Sequence, residues 1–305
     1  MNNPTTRTIK LGSRPSKLAR WQTEHILTLL KSAWPDLSFQ LAILVTTGDK
    51  IIDRPLPEIG GKGVFTEELE SALLSGEIDL AVHSLKDLPV ENAAGLGIGA
   101  VSQRACAQDV LISAKGETLS ELPAGARLGT SSLRREAQVK AARPDLNILP
   151  LRGNVDTRLR KVLEGEYDAI ILAAAGMERL DLAKHITEYL SLDIMLPAPG
   201  QGALAIQCRS DDAGLLQLLK PIHDPATCRA VTAERAFLAA LGGGCSAPVA
   251  AYAHPDGEQL EITGMVGSVS GQQVIRVSAV GEDPNALGKL LAQKALDQGA
   301  AELLR

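Results

Sequence analysis

The stretch "KLGSRPSKLAR" (residues 10–20) returns in altered form as "RLGTSSLRRE" (residues 127–136). Each is a short apolar run that ends in Gly and hydroxyl residues, followed by a helical pattern carrying arginine. A second pair lies downstream: "LLSGEIDLAV" (73–82) and "VLEGEYDAII" (162–171) both stop a helix at Gly-Glu and open an apolar strand with Asp. A strand–turn–helix–strand phrase written twice predicts two α/β lobes of similar design, each on a partly parallel sheet. The first copy is the longer one. Most of its excess is residues 46–63, "TTGDKIIDRPLPEIGGKG", which match neither the helical nor the strand period and read as a long mobile loop, a lid.

Around these phrases, strands are predicted at 8–11, 39–45, 80–83, 110–113, 127–129, 148–151 and 169–173. Helices are predicted at 16–33, 66–74, 132–142 and 155–163, the last from Val155, Leu159 and Val162 at helical spacing. "PAPGQGALAI" (197–206) reads as a hinge and turn rather than a ligand cradle. Beyond Pro221 the pattern changes to a helix (226–240), strands near 249–253, 260–266 and 273–280, and a helix over 285–303, a small α+β domain. The chain of 305 residues thus divides into domain 1 (1–102 with 197–218), domain 2 (103–196) and domain 3 (219–305).

Three Phe, three Tyr and two Trp cannot build a base-stacking platform, and a net charge of -5 shows no polyanion-binding surface, so a nucleic-acid partner is not expected. Cys106, Cys208, Cys228 and Cys245 form no CxxC pair. Neither a zinc site nor a disulfide framework is suggested, and a reducing cytoplasm fits best. "MNNPTTRTIK" lacks an apolar signal core and no run is long enough to span a bilayer, so secretion and membrane insertion are not expected.

Arginine recurs where strands give way to helices: Arg14 in "GSRPS", Arg134 and Arg135 in "GTSSLRR", Arg152 and Arg158 in "LRGNVDTR", and Arg179 after "AAAGME". Helix N-termini already favour anions, and a guanidinium adds a planar fork that suits carboxylate or phosphate. Singly each reads equally as a solvated surface arginine; together they point to a shared anionic ligand. "AVHSLKDLP" (81–89) ends a strand with His83, Ser84, Lys86 and Asp87, where an open α/β sheet lines its crevice. His83 reads first as a satisfied core histidine. Asp87 could cap a turn before Pro89, yet a carboxylate in an arginine-rich site is odd unless it meets a cation or a proton. "GGKG" (60–63) lacks the spacing and hydroxyl of a phosphate loop, so no nucleotide is expected. In "LGGGCSAPV" (241–249) three glycines leave Cys245 uncovered, a loop built for access by a reactive thiol.

These pieces together resemble porphobilinogen deaminase, the hydroxymethylbilane synthase family. The resemblance rests on nine ordered blocks: "GSRPSKLA", "GGKGVFTEELE", "DLAVHSLKDLP", "GTSSLRRE", "LRGNVDTRL", "YDAIILAAAG", "PAPGQGALAIQCR", "TAERAFL" and "LGGGCSAPV". It implies three domains, the first two like the lobes of anion-binding transport proteins. It also implies a dipyrromethane cofactor held by a thioether at Cys245, with no metal and no nucleotide. Four porphobilinogen molecules are then condensed head to tail with loss of ammonia, and water releases the linear tetrapyrrole.

By motif, the resemblance assigns Asp87 as the catalytic carboxylate, Lys86, Ser132, Arg134 and Arg135 to the cofactor, and Arg14, Ser16, Arg152, Arg158 and Arg179 to substrate and growing chain. Lys62 and Phe65 in the lid, with His83 and Ser84, would support them. Loss of ammonia leaves a cationic azafulvene, which a carboxylate beside the pyrrole N–H can stabilise. Every pyrrole brings an acetate and a propionate, which is what an arginine cluster requires. A cytoplasmic monomer, with transient hand-over to uroporphyrinogen-III synthase, completes the expectation. Rival readings are a two-lobed small-anion-binding protein and a hydrolase using Cys245 with His83. After Arg104 this chain reads "RACAQDV" where the family carries a more charged stretch, keeping only Arg104 and Asp109 and weakening any carry-over at that crossing.

Overall fold

The computed structural model describes residues 8–50, 66–242, 247–268 and 270–304. Along the chain, β1 (Ile9–Ser13) and α1 (Lys17–Ala33) are followed by β2 (Phe39–Ile43), α2 (Thr47–Lys50), α3 (Glu67–Ser75), β3 (Leu80–Ser84) and β4 (Leu96–Val101). Next come β5 (Asp109–Ser113), β6 (Arg127–Gly129), α4 (Leu133–Ala142), β7 (Asn147–Leu149), α5 (Val155–Leu163), β8 (Ala169–Ala173), α6 (Ala174–Arg179) and β9 (Glu188–Tyr189). Then β10 (Leu204–Arg209), α7 (Ala213–Leu219) and α8 (Pro225–Ala240) precede β11 (Val249–Asp256), β12 (Gln259–Gly267), β13 (Val274–Gly281), α9 (Pro284–Asp297) and α10 (Ala300–Leu303). The described residues form two compact units: one runs up to Arg104 and adds Ala203–Cys228, the other is Ala105–Gly202 with the chain from Arg229 onward.

The first unit is built on a sheet of order β2-β1-β3-β10-β4, in which β1, β2 and β3 run parallel and β10 is antiparallel to both neighbours. Alternation along the strands fills both faces. Ile9, Leu11, Leu80 and Val82 meet Ile26 and Leu30 of α1, while Ala81 on the opposite face meets Leu69 and Leu73 of α3. Each such Leu or Ile, fully buried, contributes roughly 1.5–3 kcal/mol.

The second unit repeats the plan in the order β7-β6-β8-β5-β9, with β6, β7 and β8 parallel and β5 antiparallel. The sequence repeat has a physical meaning. Asp79 and Asp168, immediately before β3 and β8, each accept a backbone N–H in the first two residues of the neighbouring strand: Lys10 N to Asp79 at 2.9 Å, Arg127 N to Asp168 at 2.8 Å. Each aspartate's own N–H donates back to the carbonyl of that same residue at 2.9 Å, fixing register in both sheets. Gly12 and Gly129 sit under this lock because a Cβ there would come within 2.4 Å of Ile78 or 2.8 Å of Tyr167. The C-terminal part of this unit is an antiparallel meander, β11-β12-β13, with Phe237 of α8 and Leu291 of α9 packed at Gly264 of β12. The fold is therefore two α/β lobes of matching topology with a small α+β domain at the C-terminus.

Several expectations need correction. "GALAI" is not all turn: from Leu204 it becomes β10, the antiparallel strand between β3 and β4. β4, β9, α6 and α7 were not predicted, being glycine-rich, only two residues long, or too short for a helical period to show. The C-terminal helix ends at Asp297, with α10 separate. In the predicted lid, Thr47–Lys50 is helical, and residues 51–65, Lys62 and Phe65 among them, lie outside the described residues. Cys245 lies outside them as well.

Candidate functional site

In each lobe the three parallel strands end on the same side, and the turns leaving them carry the polar residues, where open α/β sheets place their ligands. In the first unit β1 runs into Arg14 and Ser16. Ser16 caps α1, its Oγ accepting Ala19 N at 3.3 Å, so this predicted substrate contact has a structural task. Arg14 grips Asp49 through two hydrogen bonds, Nε to Oδ2 at 3.2 Å and Nη2 to Oδ1. Thr46 adds its N–H at 3.2 Å and its hydroxyl at 2.8 Å. Burial alone would raise Asp49, but these donors hold its carboxyl below the usual range. Arg14 is thus aimed by a carboxylate that sequence reading passed over.

β3 ends in Ser84 and a single 3-10 turn, Leu85–Asp87. Ser84 accepts Gln22 Nε2 at 2.8 Å. Leu85 is buried and anchors the turn, Lys86 is half-buried, and Asp87 is exposed with no hydrogen bond to the described residues. That is the geometry of a carboxylate held ready on a fixed stalk. His83 faces inward at 6% exposure, and its Nε2 has no partner among the described residues. Burial pulls its imidazole down to about 4 against the opposing influence of Gln207, so it is neutral at pH 7. A freely exchanging base for a thiol is not what this position offers.

In the second unit the turns after β6 and β7 are tied together by Ser131, whose Oγ donates to Leu151 O and accepts Leu151 N, both at 2.9 Å. Ser132, at the start of α4, makes no side-chain cap and keeps its hydroxyl available. Arg152 is half-buried just beyond, and Arg158 donates its Nε to Gly153 O at 2.7 Å. Arg179 donates Nη2 to Gly202 O at 2.7 Å, and burial pulls its guanidinium down to about 10, still cationic at neutral pH.

Arg134 and Arg135 lie side by side in the first turn of α4. Both are buried on Asp109, each with an Nη 2.7 Å from one carboxylate oxygen, and Gln201 Nε2 adds a third bond at 2.9 Å. Burial alone would raise Asp109; the two guanidiniums outweigh it and hold the carboxyl far below its usual range. Two cations on one anion leave a net positive charge at the start of α4, and Arg135 Nε is buried with no partner among the described residues. Sequence reading kept Asp109 only as a family residue. Its signal was a lone carboxylate opening an apolar strand, which burial forbids unless it is paired.

Among the described residues no cluster of His, Cys, Asp or Glu could hold a metal, and no helix is long and apolar enough to cross a membrane. Residues 9–217 match the family model for the dipyromethane cofactor binding domain of porphobilinogen deaminase, and residues 228–297 match that for its C-terminal domain. The chain belongs to the porphobilinogen deaminase family. It is 51% identical over 296 residues to the porphobilinogen deaminase of Brevibacillus brevis, covering 97% of this chain and 96% of that one. It is 49% identical to that of Halalkalibacterium halodurans, covering 98% and 96%. Among solved structures, the periplasmic VFT2 domain of Bordetella pertussis BvgS aligns with 70% of this chain and 86% of its own at 16% identity and TM-score 0.42, too distant to bear on the chemistry.

The residues present fit the dipyrromethane cofactor of the porphobilinogen deaminase family. A group with acid side chains and pyrrole N–H donors calls for cations, hydroxyls and one accessible carboxylate. Within the second lobe, the excess charge of Arg134 and Arg135, the orphaned Arg135 Nε and the hydroxyl of Ser132, which makes no cap bond, suit such acid groups.

Proposed function

We propose that this chain is a hydroxymethylbilane synthase, a transferase that condenses four porphobilinogen molecules head to tail with loss of four ammonia and then adds one water to release the linear tetrapyrrole. The reading is carried by Asp87: an exposed carboxylate bonded to none of the described residues, on a buried anchor, following Lys86, in a lobe whose other strand-end turn carries a cation aimed by Asp49. The dipyrromethane group, attached at Cys245, supplies the α-position on which the first new bond forms.

Asp87 accepts the pyrrole N–H and stabilises positive charge as ammonia leaves. One preorganised partner of this kind is worth about 100 to 1,000-fold in rate. The same carboxylate helps move the proton with which the amine departs. Lys86, Ser132, Arg134 and Arg135 hold the cofactor's acid groups, and Arg14, Ser16, Arg152, Arg158 and Arg179 those of substrate and growing chain. Lys62, Phe65, His83 and Ser84 are assigned supporting roles. The proposal divides the chain into residues 1–102 with 197–218, 103–196 and 219–305. It includes a cytoplasmic monomer, in keeping with scattered cysteines, that passes product to uroporphyrinogen-III synthase.

The test is stoichiometric. Purified protein given porphobilinogen should release four ammonia per linear tetrapyrrole formed. Binding of porphobilinogen without ammonia release would favour the anion-binding alternative instead.

A further inference from the structure

We propose that the buried turn at residues 199–202 positions three of the arginines for the acid groups of cofactor and substrate, with Gln201 as its deciding side chain. The turn is defined by Gln201 N donating to Ala198 O at 2.9 Å. Pro199 and then Gly200 at φ 78° fit the second and third places of a type II turn. It is held from two sides. Glu234 Oε2 accepts Gly200 N at 2.7 Å, and Ala105 N donates to Gly202 O at 3.2 Å. Gly202 has φ 89°, and a Cβ there would lie 2.5 Å from Ala105 O.

From this fixed point two connections reach the arginines. Gln201, fully buried, donates Nε2 to Ala107 O at 2.7 Å and to Asp109 Oδ1 at 2.9 Å, and Asp109 holds Arg134 and Arg135. Gly202 O receives Arg179 directly. Arg134 also donates Nη1 to Leu196 O, and Arg135 donates Nη1 to Ile171 O, so each guanidinium is held by more than one acceptor in a set orientation. The ordering is then complete before ligand arrives, which is where preorganised sites gain affinity. Gln201 is a positioning residue, acting through Asp109.

The inference rests on the proposed function, with Arg134 and Arg135 on the cofactor's acid groups and Arg179 on those of substrate, and its test uses the holo protein. Gln201→Leu nearly conserves volume and removes both donated bonds. With the turn untied from Ala107 O, Arg179, the arginine assigned to substrate, loses its fixed acceptor at Gly202 O, and KM for porphobilinogen should rise about tenfold or more, with kcat changed by less than about threefold. An unchanged KM beside a lowered thermal midpoint would make the residue merely structural. Gln201→Glu provides a second reading. The introduced carboxyl faces Asp109, must carry a proton to donate, and has its pKa raised by that neighbour. Its KM should therefore improve relative to wild type as pH falls from about 8 to about 6; parallel pH profiles would overturn the proposal. A wild-type chain that ignores porphobilinogen overturns both readings, whereas an active wild type beside variants of unchanged KM overturns this one alone.

Discussion

Asp109→Asn removes the one carboxylate shared by two buried guanidiniums. Asp109 is fully buried and its partners are 5% and 8% exposed at the side chain, so water cannot replace the lost charge. Removing one member of a buried ion pair costs about 3–5 kcal/mol, chiefly because the remaining charge is left uncompensated, and here two cations would be left side by side. That is a large part of the roughly 5–15 kcal/mol that holds a domain folded. Asp168→Asn, at the Arg127–Asp168 pair whose side chains are 43% and 37% exposed, is the internal comparison and should cost no more than about 1 kcal/mol through the lost ion pair. Urea unfolding of the two variants at pH 7 measures the difference. The pH dependence has a definite sign. The folded carboxyl of Asp109 is depressed, so its stabilisation is complete above the unfolded value near 4 and is lost as pH falls below it. The gap between wild type and Asp109→Asn should narrow below about pH 4. Equal costs for the two variants would refute the view of Asp109 as the buried keystone of its lobe.

Asp87→Asn should leave the thermal midpoint unchanged and lower kcat by about 100 to 1,000-fold, since Asp87 is exposed and bonded to none of the described residues; near-normal turnover would remove it from the reaction. His83 makes the opposite kind of prediction. Its folded value near 4 lies below the ordinary 6.5, so the unfolded chain binds the extra proton between them, and stability should rise with pH across that window by on the order of 3 kcal/mol. Urea midpoints for His83→Gln should lack that rise, and an identical slope in wild type and variant would contradict it.

What was legible in the sequence was local. The repeat announced two like lobes because each strand, turn and helix of the phrase is contiguous, and Asp79 and Asp168 lock strands that the repeated phrases themselves supply. The antiparallel fourth strand of each sheet was harder to see. β5 and β10 each follow a passage of the chain from the other unit, and nothing in "RACAQDV" or "PAPGQGALAI" says which sheet they enter. The strand-end arginines were found as anion binders from their turns, but the partners that aim them were not. Asp49 meets Arg14 35 residues away, and Gln201 meets Asp109 92 residues away. A buried carboxylate at a strand start was the available clue. Its partners belong to tertiary structure, which spacing alone does not encode.

The central claim is that this chain works on a pyrrole primer fixed to Cys245. The intact mass of the denatured protein tests it most directly. The expected result is an excess over the chain alone equal to two linked pyrrole units, absent from Cys245→Ala together with activity. An active protein with the mass of the bare chain, or an excess that survives Cys245→Ala, would contradict it.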